Sequence, residues 1–138
     1  MRKLILNRIR TPDNTILESK HRHDFKLHKD KNNEIYINDG GTEYLKRSIN
    51  IEPYTDLSLY SDDPFSIIRE NITWGSRGKN GDEELKYKPI SNMSTKHIKA
   101  ILSNCILADY MKEIFEKELI HRNELEQKGL TESHWEEE

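Results

Sequence analysis

The chain has 138 residues, 33% of them apolar and 34% charged, with a formal net charge of −3. That length fits one domain, since domains cluster at about 100–150 residues, and it can bury a core without disulfides or a structural metal. No run approaches the ~20 apolar residues of a membrane span, and net acidity argues against duplex DNA, whose binding relies on many cations.

Residues 3–9 alternate as a strand, with Leu4 and Leu6 on one face and Ile5 on the other. The basic start Met1-Arg2-Lys3 meets only Leu4-Ile5-Leu6 before polarity returns, too little for an export signal. Thr11-Pro12-Asp13-Asn14-Thr15 reads as a turn, in which Pro12 presets a dihedral and Asn14 tolerates a left-handed position. A second strand is expected over residues 15–23, forming a hairpin with the first and continuing past a bend into residues 25–28. Asp30-Lys31-Asn32-Asn33 is the next turn and residues 34–37 the next strand, closed by Asp39-Gly40-Gly41. Residues 42–63 are ambiguous, with 52–61 resembling ordered loop.

Asp63-Pro64 has the form of an N-cap beside a first-turn proline, so a short helix is expected over residues 64–70. Gly75-Ser76-Arg77-Gly78-Lys79-Asn80-Gly81 is a basic glycine-rich loop, followed by a strand near residues 85–88. Ser94 can cap a helix whose stripe of Ile98, Ile101, Leu102 and Cys105 continues through Leu107, Tyr110, Met111, Ile114, Phe115 and Leu119, with Ser103-Asn104 dividing or kinking it. Cys105, the lone cysteine, reads as a small buried hydrophobe in a reducing compartment. The expected fold is α+β, with an N-terminal antiparallel β-meander, a short middle helix and C-terminal amphipathic helices. Residues 1–129 are expected to form a single domain, and residues 130–138 an acidic mobile tail apart from Trp135.

Residues 1–50 hold eleven Lys/Arg against seven Asp/Glu, and residues 51–138 eleven against eighteen. A basic first half beside an acidic second suits an anionic ligand, or attraction between the halves or between subunits. The loop Trp74–Gly81 is the preferred ligand-facing element: glycines can aim backbone N–H groups at an anion, Arg77 and Lys79 add charge, and Trp74 could stack on a base. It is not a Walker loop, because Asn80 follows Gly78-Lys79 where Ser or Thr belongs. Lys46 and Arg47 are further candidate phosphate contacts. The competing enzymatic centre is His21-Arg22-His23-Asp24. On a strand its two histidines would share a face and could hold a metal, the third ligand being left open among Asp24 after a bend, His28 and a distant carboxylate. No cofactor is otherwise implied. The Met111/Phe115 stripe could pack within one core or against a second copy in a homodimer.

Several stretches also stand together in order: residues 2–9 with Thr11-Pro12-Asp13, then His21-x-His23-Asp24, and Asp39-Gly40-Gly41 with Tyr44-Leu45-x-Arg47. Tyr60-Ser61-Asp62-Asp63-Pro64-Phe65, Trp74-Gly75-x-Arg77-Gly78-Lys79-x-Gly81 and Met93-x-x-x-His97-Ile98 follow. This series resembles a group of small accessory proteins of tailed bacteriophages and related bacterial elements, with Asn14 where glycine would be expected. The resemblance carries over no catalytic residue. It implies a host-cytoplasm setting and a nonessential accessory role. The functional expectation is thus a noncatalytic binding protein that engages a host protein or sequesters a small nucleotide-like anion, in host takeover or counter-defence. The alternative is a metal-assisted phosphoesterase centred on His21, His23 and Asp24.

Overall fold

The computed structural model describes residues 2–78 and 80–136, so Lys79 lies outside the described residues. Among the described residues, antiparallel strands occupy the first half, and three α-helices with one further hairpin the second, an α+β arrangement. The chain divides into two compact units, Met1–Asp63 and Pro64–Glu138.

The first unit contains two small sheets. In one, β1 (Leu4–Arg10) pairs with β2 (Ile16–Ser19) on one edge, and with β6 (Thr55–Asp56) and β7 (Leu59–Tyr60) on the other. In the other, β3 (Lys26–Lys29), β4 (Ile35–Asp39) and β5 (Lys46–Arg47) run in that order. Both hairpin turns follow the same local chemistry. Thr11 N–H bonds Thr15 O and Asn14 N–H bonds Thr11 O; Asp30 N–H bonds Glu34 O and Asn33 N–H bonds Asp30 O. Each is a three-residue loop with asparagine in the left-handed position, φ 68° at Asn14 and 64° at Asn33. Ile9, Leu17 and Tyr36 form the apolar centre, with Tyr54 against it.

Beside this centre lies a buried polar network. Asn7 and Asn38 are both fully enclosed. The Asn38 amide donates to Leu17 O (2.9 Å) and the Asn7 amide to Gly41 O (2.9 Å). Gly41 has φ +58°, and a Cβ there would lie 2.6 Å from the His21 carbonyl carbon. The Asp-Gly-Gly segment is therefore a close backbone crossing.

In the second unit, α1 (Phe65–Asn71) leads into a hairpin of β8 (Thr73–Ser76) and β9 (Lys86–Pro89). A 3-10 turn (Ile90–Asn92), α2 (Thr95–Asn104), α3 (Asp109–Gln127) and a second 3-10 turn (Ser133–Glu136) follow. Ser94 caps α2 as expected, its hydroxyl accepting from His97 N–H at 3.1 Å. Asp63 does not cap α1: its carboxylate accepts instead from Tyr60 N–H (2.7 Å), and Pro64 is the cap position without a side-chain bond.

The long amphipathic stretch breaks at Cys105–Ala108 into two helices. As a result Cys105, expected inside, is exposed at the end of α2. The buried positions of α3 are Ile114, Phe115, Glu118 and Arg122, so the core-facing stripe turns ionic in its second half. Glu118 is fully buried and held by Arg69 from α1 and Arg122 one turn on, which also bonds Thr95 Oγ1 and Ile90 O. Residues 130–136, read from the sequence as mostly mobile tail, bring Trp135 to 1% exposure with the Arg122 guanidinium 4.9 Å from its ring centroid. His134 bonds Ser91 O at 2.7 Å and fastens the same turn.

Candidate functional site

The histidine motif is placed on a turn. After Ser19 the chain leaves the sheet, Asp24 N–H bonds His21 O (2.9 Å), and the Asp24 carboxylate accepts from Lys20 N–H (2.7 Å). The strand expected through His23 therefore ends four residues early, and the shared strand face of His21 and His23 is lost. His23 N–H instead points at His21 Nδ1, 3.3 Å away. Burial raises the Asp24 pKa, but the Lys20 amide and the Lys26 ammonium outweigh it, so the carboxyl stays below its usual range. Among the described residues no group of three or more His, Cys, Asp or Glu side chains could hold a metal ion.

A histidine–carboxylate pair that the sequence did not suggest lies nearby. Asp13, in the first hairpin turn, meets His28 Nε2 on β3 at 2.8 Å, and Thr15 Oγ1 approaches the same nitrogen at 3.3 Å. Hydrogen bonds from Thr11 and then His28 hold Asp13 far below the usual carboxylate range. Both oxygens crowd one ring nitrogen. In a Ser-His-Asp relay the carboxylate and the nucleophile occupy opposite nitrogens. The pair staples the turn to β3.

The glycine loop is closed on itself. Gly78 N–H bonds Ser76 Oγ, Gly81 N–H bonds Gly78 O, and Glu83 N–H bonds Arg77 O. The Glu83 carboxylate lies so close to Gly78 that a Cβ there would sit 1.8 Å from its oxygen. An anion approaching this loop would meet the Glu83 carboxylate, and the Gly78 and Gly81 amides are already engaged. Arg77 is exposed, while Trp74 is half-buried with its ring edge-on to Phe115, centroids 5.5 Å apart. The geometry therefore favours packing over base stacking for Trp74.

Lys46 and Arg47 separate because adjacent strand residues face opposite ways. Arg47 turns inward: Nη2 donates to Asn7 Oδ1 and Ser58 Oγ, both at 2.7 Å, Nε to Asn38 Oδ1 at 3.3 Å, and Nη1 pairs with Asp56 at 3.4 Å. Its guanidinium completes the buried network and is not presented to a phosphate. Lys46 is exposed, opposite Asp39, on the outward face.

That outward face is the most unusual surface of the first unit. Cross-strand register sets Leu27 opposite Ile37 and Lys29 opposite Ile35. Odd-numbered residues of β3 and β4 share one side, because Tyr36 and Asn38 are buried on the other. Leu27 is 52% and Ile35 44% exposed. Alongside runs residues 48–51, tied down by Ser48 N–H to Ile37 O (3.3 Å) and by the Asn50 amide to Ile35 O (2.7 Å). It carries Ile49 and Ile51, both almost wholly exposed. Antiparallel sheets that face water on one side are ordinarily polar there. Here Lys29 and Lys46 bracket the apolar centre, and neither makes an ion pair among the described residues. Sequence alternation alone would have buried Ile35 and Ile37 and exposed Asn38. The available signal was Arg47, a cation on the adjacent strand in register with Asn38, that satisfies the asparagine.

No protein-family model, curated protein or solved structure matches this chain. No helix among the described residues is long and apolar enough to cross a membrane.

Proposed function

We propose that the chain is a noncatalytic binding protein that docks a partner protein on the outer face of β3 and β4. The carrying observation is the set Leu27, Ile35 and Ile37, apolar on the side of a sheet where water-facing residues belong, with a lysine at each end. Contiguous exposed apolar surface of this kind marks interaction sites in soluble proteins. Unpaired cations on its rim select a partner carrying carboxylates around an apolar centre. The resemblance to phage accessory proteins suggests a host protein as that partner. The closed glycine loop and the inward Arg47 give a small anionic ligand little support, and the turn at His21–Asp24 gives a phosphoesterase none.

The test is a comparative capture from host lysate using the natural chain and the double variant Leu27→Lys/Ile35→Lys. A protein retained by the first and lost by the second, with unchanged circular dichroism, is the expected result. Equal retention by both would remove this face from consideration.

A further inference from the structure

Resting on that docking reading, we infer that the partner is held by strand addition: an extended acidic segment joins the open edge of β3 and lays alternate side chains across the apolar face. The hairpin turn fixes which backbone groups face that edge. Asp30 N–H bonds Glu34 O, so Asp30 and Glu34 form a hydrogen-bonded pair. In an antiparallel ladder such pairs alternate with non-bonded ones. Counting back through the register, His28–Tyr36 and Lys26–Asn38 are bonded pairs, whereas Lys29–Ile35 and Leu27–Ile37 are not. The N–H and C=O groups of Leu27 and Lys29 therefore point away from β4. As β3 ends the strand order and pairs with β4 alone, they point to an open edge.

The neighbouring sheet does not occupy that edge by strand pairing. The Asn38 amide reaches Leu17 O, placing β2 against the inner side of β4. The Asp13–His28 contact fastens the first hairpin turn to the inner side of β3. The edge thus combines four outward backbone groups with exposed Leu27 and, just before the strand, exposed Phe25. Natural edges are blunted by shortness, bulges, proline or charges, lysine above all. β3 is four residues long, with no proline and no bulge in its pairing with β4, and its protection is lysine, which an acidic strand neutralises.

Charge decides between occupants. Lys26 and Lys29 fall within a four-residue strand, and Lys31 follows. Lys26 is held by Asp24 at 3.2 Å, but pairing two copies of β3 would still gather Lys29 and Lys31 of both copies on one ribbon, which like-charge repulsion opposes. Leu27 and Lys29 share the outer face, so a segment with an acidic residue beside Lys29 and an apolar residue two positions away, beside Leu27, matches both along one face of the added strand. This is the recognition mode in which main-chain bonds supply affinity and alternate side chains supply selectivity.

The experiment presents a displayed library of random seven-residue peptides to the full chain, with the Leu27→Lys/Ile35→Lys variant as counter-selection. Enriched sequences are expected to carry an acidic and an apolar residue two positions apart, on one strand face, and to lack proline. A synthetic peptide of the enriched sequence should slow hydrogen exchange at the Leu27 and Lys29 amides, and should lose binding when its own β3-facing amides are N-methylated. Lys29→Glu should weaken it by about tenfold, as loss of a charge pair does. If peptides bind in an Ile35-dependent manner yet leave those amides exchanging freely, strand addition is wrong and the docking face survives. Enrichment of basic sequences overturns the acidic occupant. No enrichment over the variant overturns both readings.

Discussion

The Arg69 guanidinium grips the Glu118 carboxylate with two hydrogen bonds across 49 positions of sequence, Nε to Oε1 at 2.7 Å and Nη2 to Oε2 at 2.8 Å. Arg122 Nε takes the same carboxylate at 2.7 Å, and the Glu118 anion holds the Arg69 pKa above its ordinary value. Replacing Glu118 with leucine would leave the Arg122 guanidinium enclosed without its counter-ion and Arg69 with only the more exposed Glu70 carboxylate, 3.1 Å from Nη1. Breaking such a pair costs about 3–5 kcal/mol. Urea unfolding followed by circular dichroism should show a loss of that size, and an unchanged midpoint would refute the triad's structural weight. Replacing all three residues with apolar ones of similar volume should recover much of the loss.

Trp135 gives a complementary test. Its indole N–H is buried with no hydrogen-bond partner among the described residues, while its ring contacts Arg122. Trp135→Phe removes the unsatisfied donor and keeps an aromatic face but leaves a smaller cavity, so it should cost less than deletion of the whole ring system. Trp135→Ala should cost roughly 3–5 kcal/mol through the cavity it leaves. Equal effects in a thermal melt would mean that the ring's contact with Arg122 contributes nothing.

Arg47 and Lys46 should behave oppositely despite being neighbours. Lysine cannot reproduce the planar fork that reaches Asn7, Asn38, Ser58 and Asp56. Arg47→Lys should therefore strand buried amide oxygens and cost about 1–3 kcal/mol, seen as faster amide exchange at Ile9 and Tyr36. Lys46→Ala should stay within about 0.5 kcal/mol of the natural chain, as exposed substitutions do, while weakening partner capture.

Much of the architecture was readable because its causes are local. The turns at Asn14 and Asn33, the Ser94 cap and the apolar spacing of Ile98 and Ile101 all act within four residues. What escaped reading depends on partners far along the chain. Asn38 is buried because Arg47 and Leu17 satisfy it, which inverts the face presented by Ile35 and Ile37. Glu118 and Arg122 are buried because Arg69 and Thr95 meet them. Local pattern also misled at His21–Asp24, where bonds from Lys20 and Ser19 to Asp24 bend what alternation would have continued.

Acid should act on the first unit through Asp13. A carboxyl whose folded pKa is depressed adds stability while ionised. That contribution is complete above the unfolded value and fades as pH falls toward the folded one. Asp13→Asn should lower the melting temperature near neutrality, and the gap from the natural chain should begin to close as the pH drops below about 4, where the unfolded carboxyl starts to protonate. A constant gap across the titration would contradict the staple.

His97 should respond at milder acidity. Burial, and then the charge of Lys88, lowers its pKa below the ordinary 6.5. The folded state thus favours neutral imidazole, and stability is lost as pH falls through the ordinary value toward the folded one. Between about pH 7 and 5, where an unperturbed histidine titrates, the melting temperature should fall less in His97→Gln than in the natural chain. Lys88→Gln should give an intermediate slope. Parallel slopes for all three proteins would exclude His97 as the titrating group.

The two indoles of the chain, Trp74 against Phe115 and Trp135 over Arg122, both lie beyond Asp63. Four tyrosines, Tyr36, Tyr44, Tyr54 and Tyr60, are the first unit's own fluorophores. Emission excited selectively in tryptophan therefore reports the helical unit alone, and disassembly of the strands would pass silently beneath it. Tyr87 and Tyr110 lie in the second unit, so with both replaced by phenylalanine the tyrosine emission supplies the missing half, and a lag between the two colours would reveal units that melt separately without any label being added.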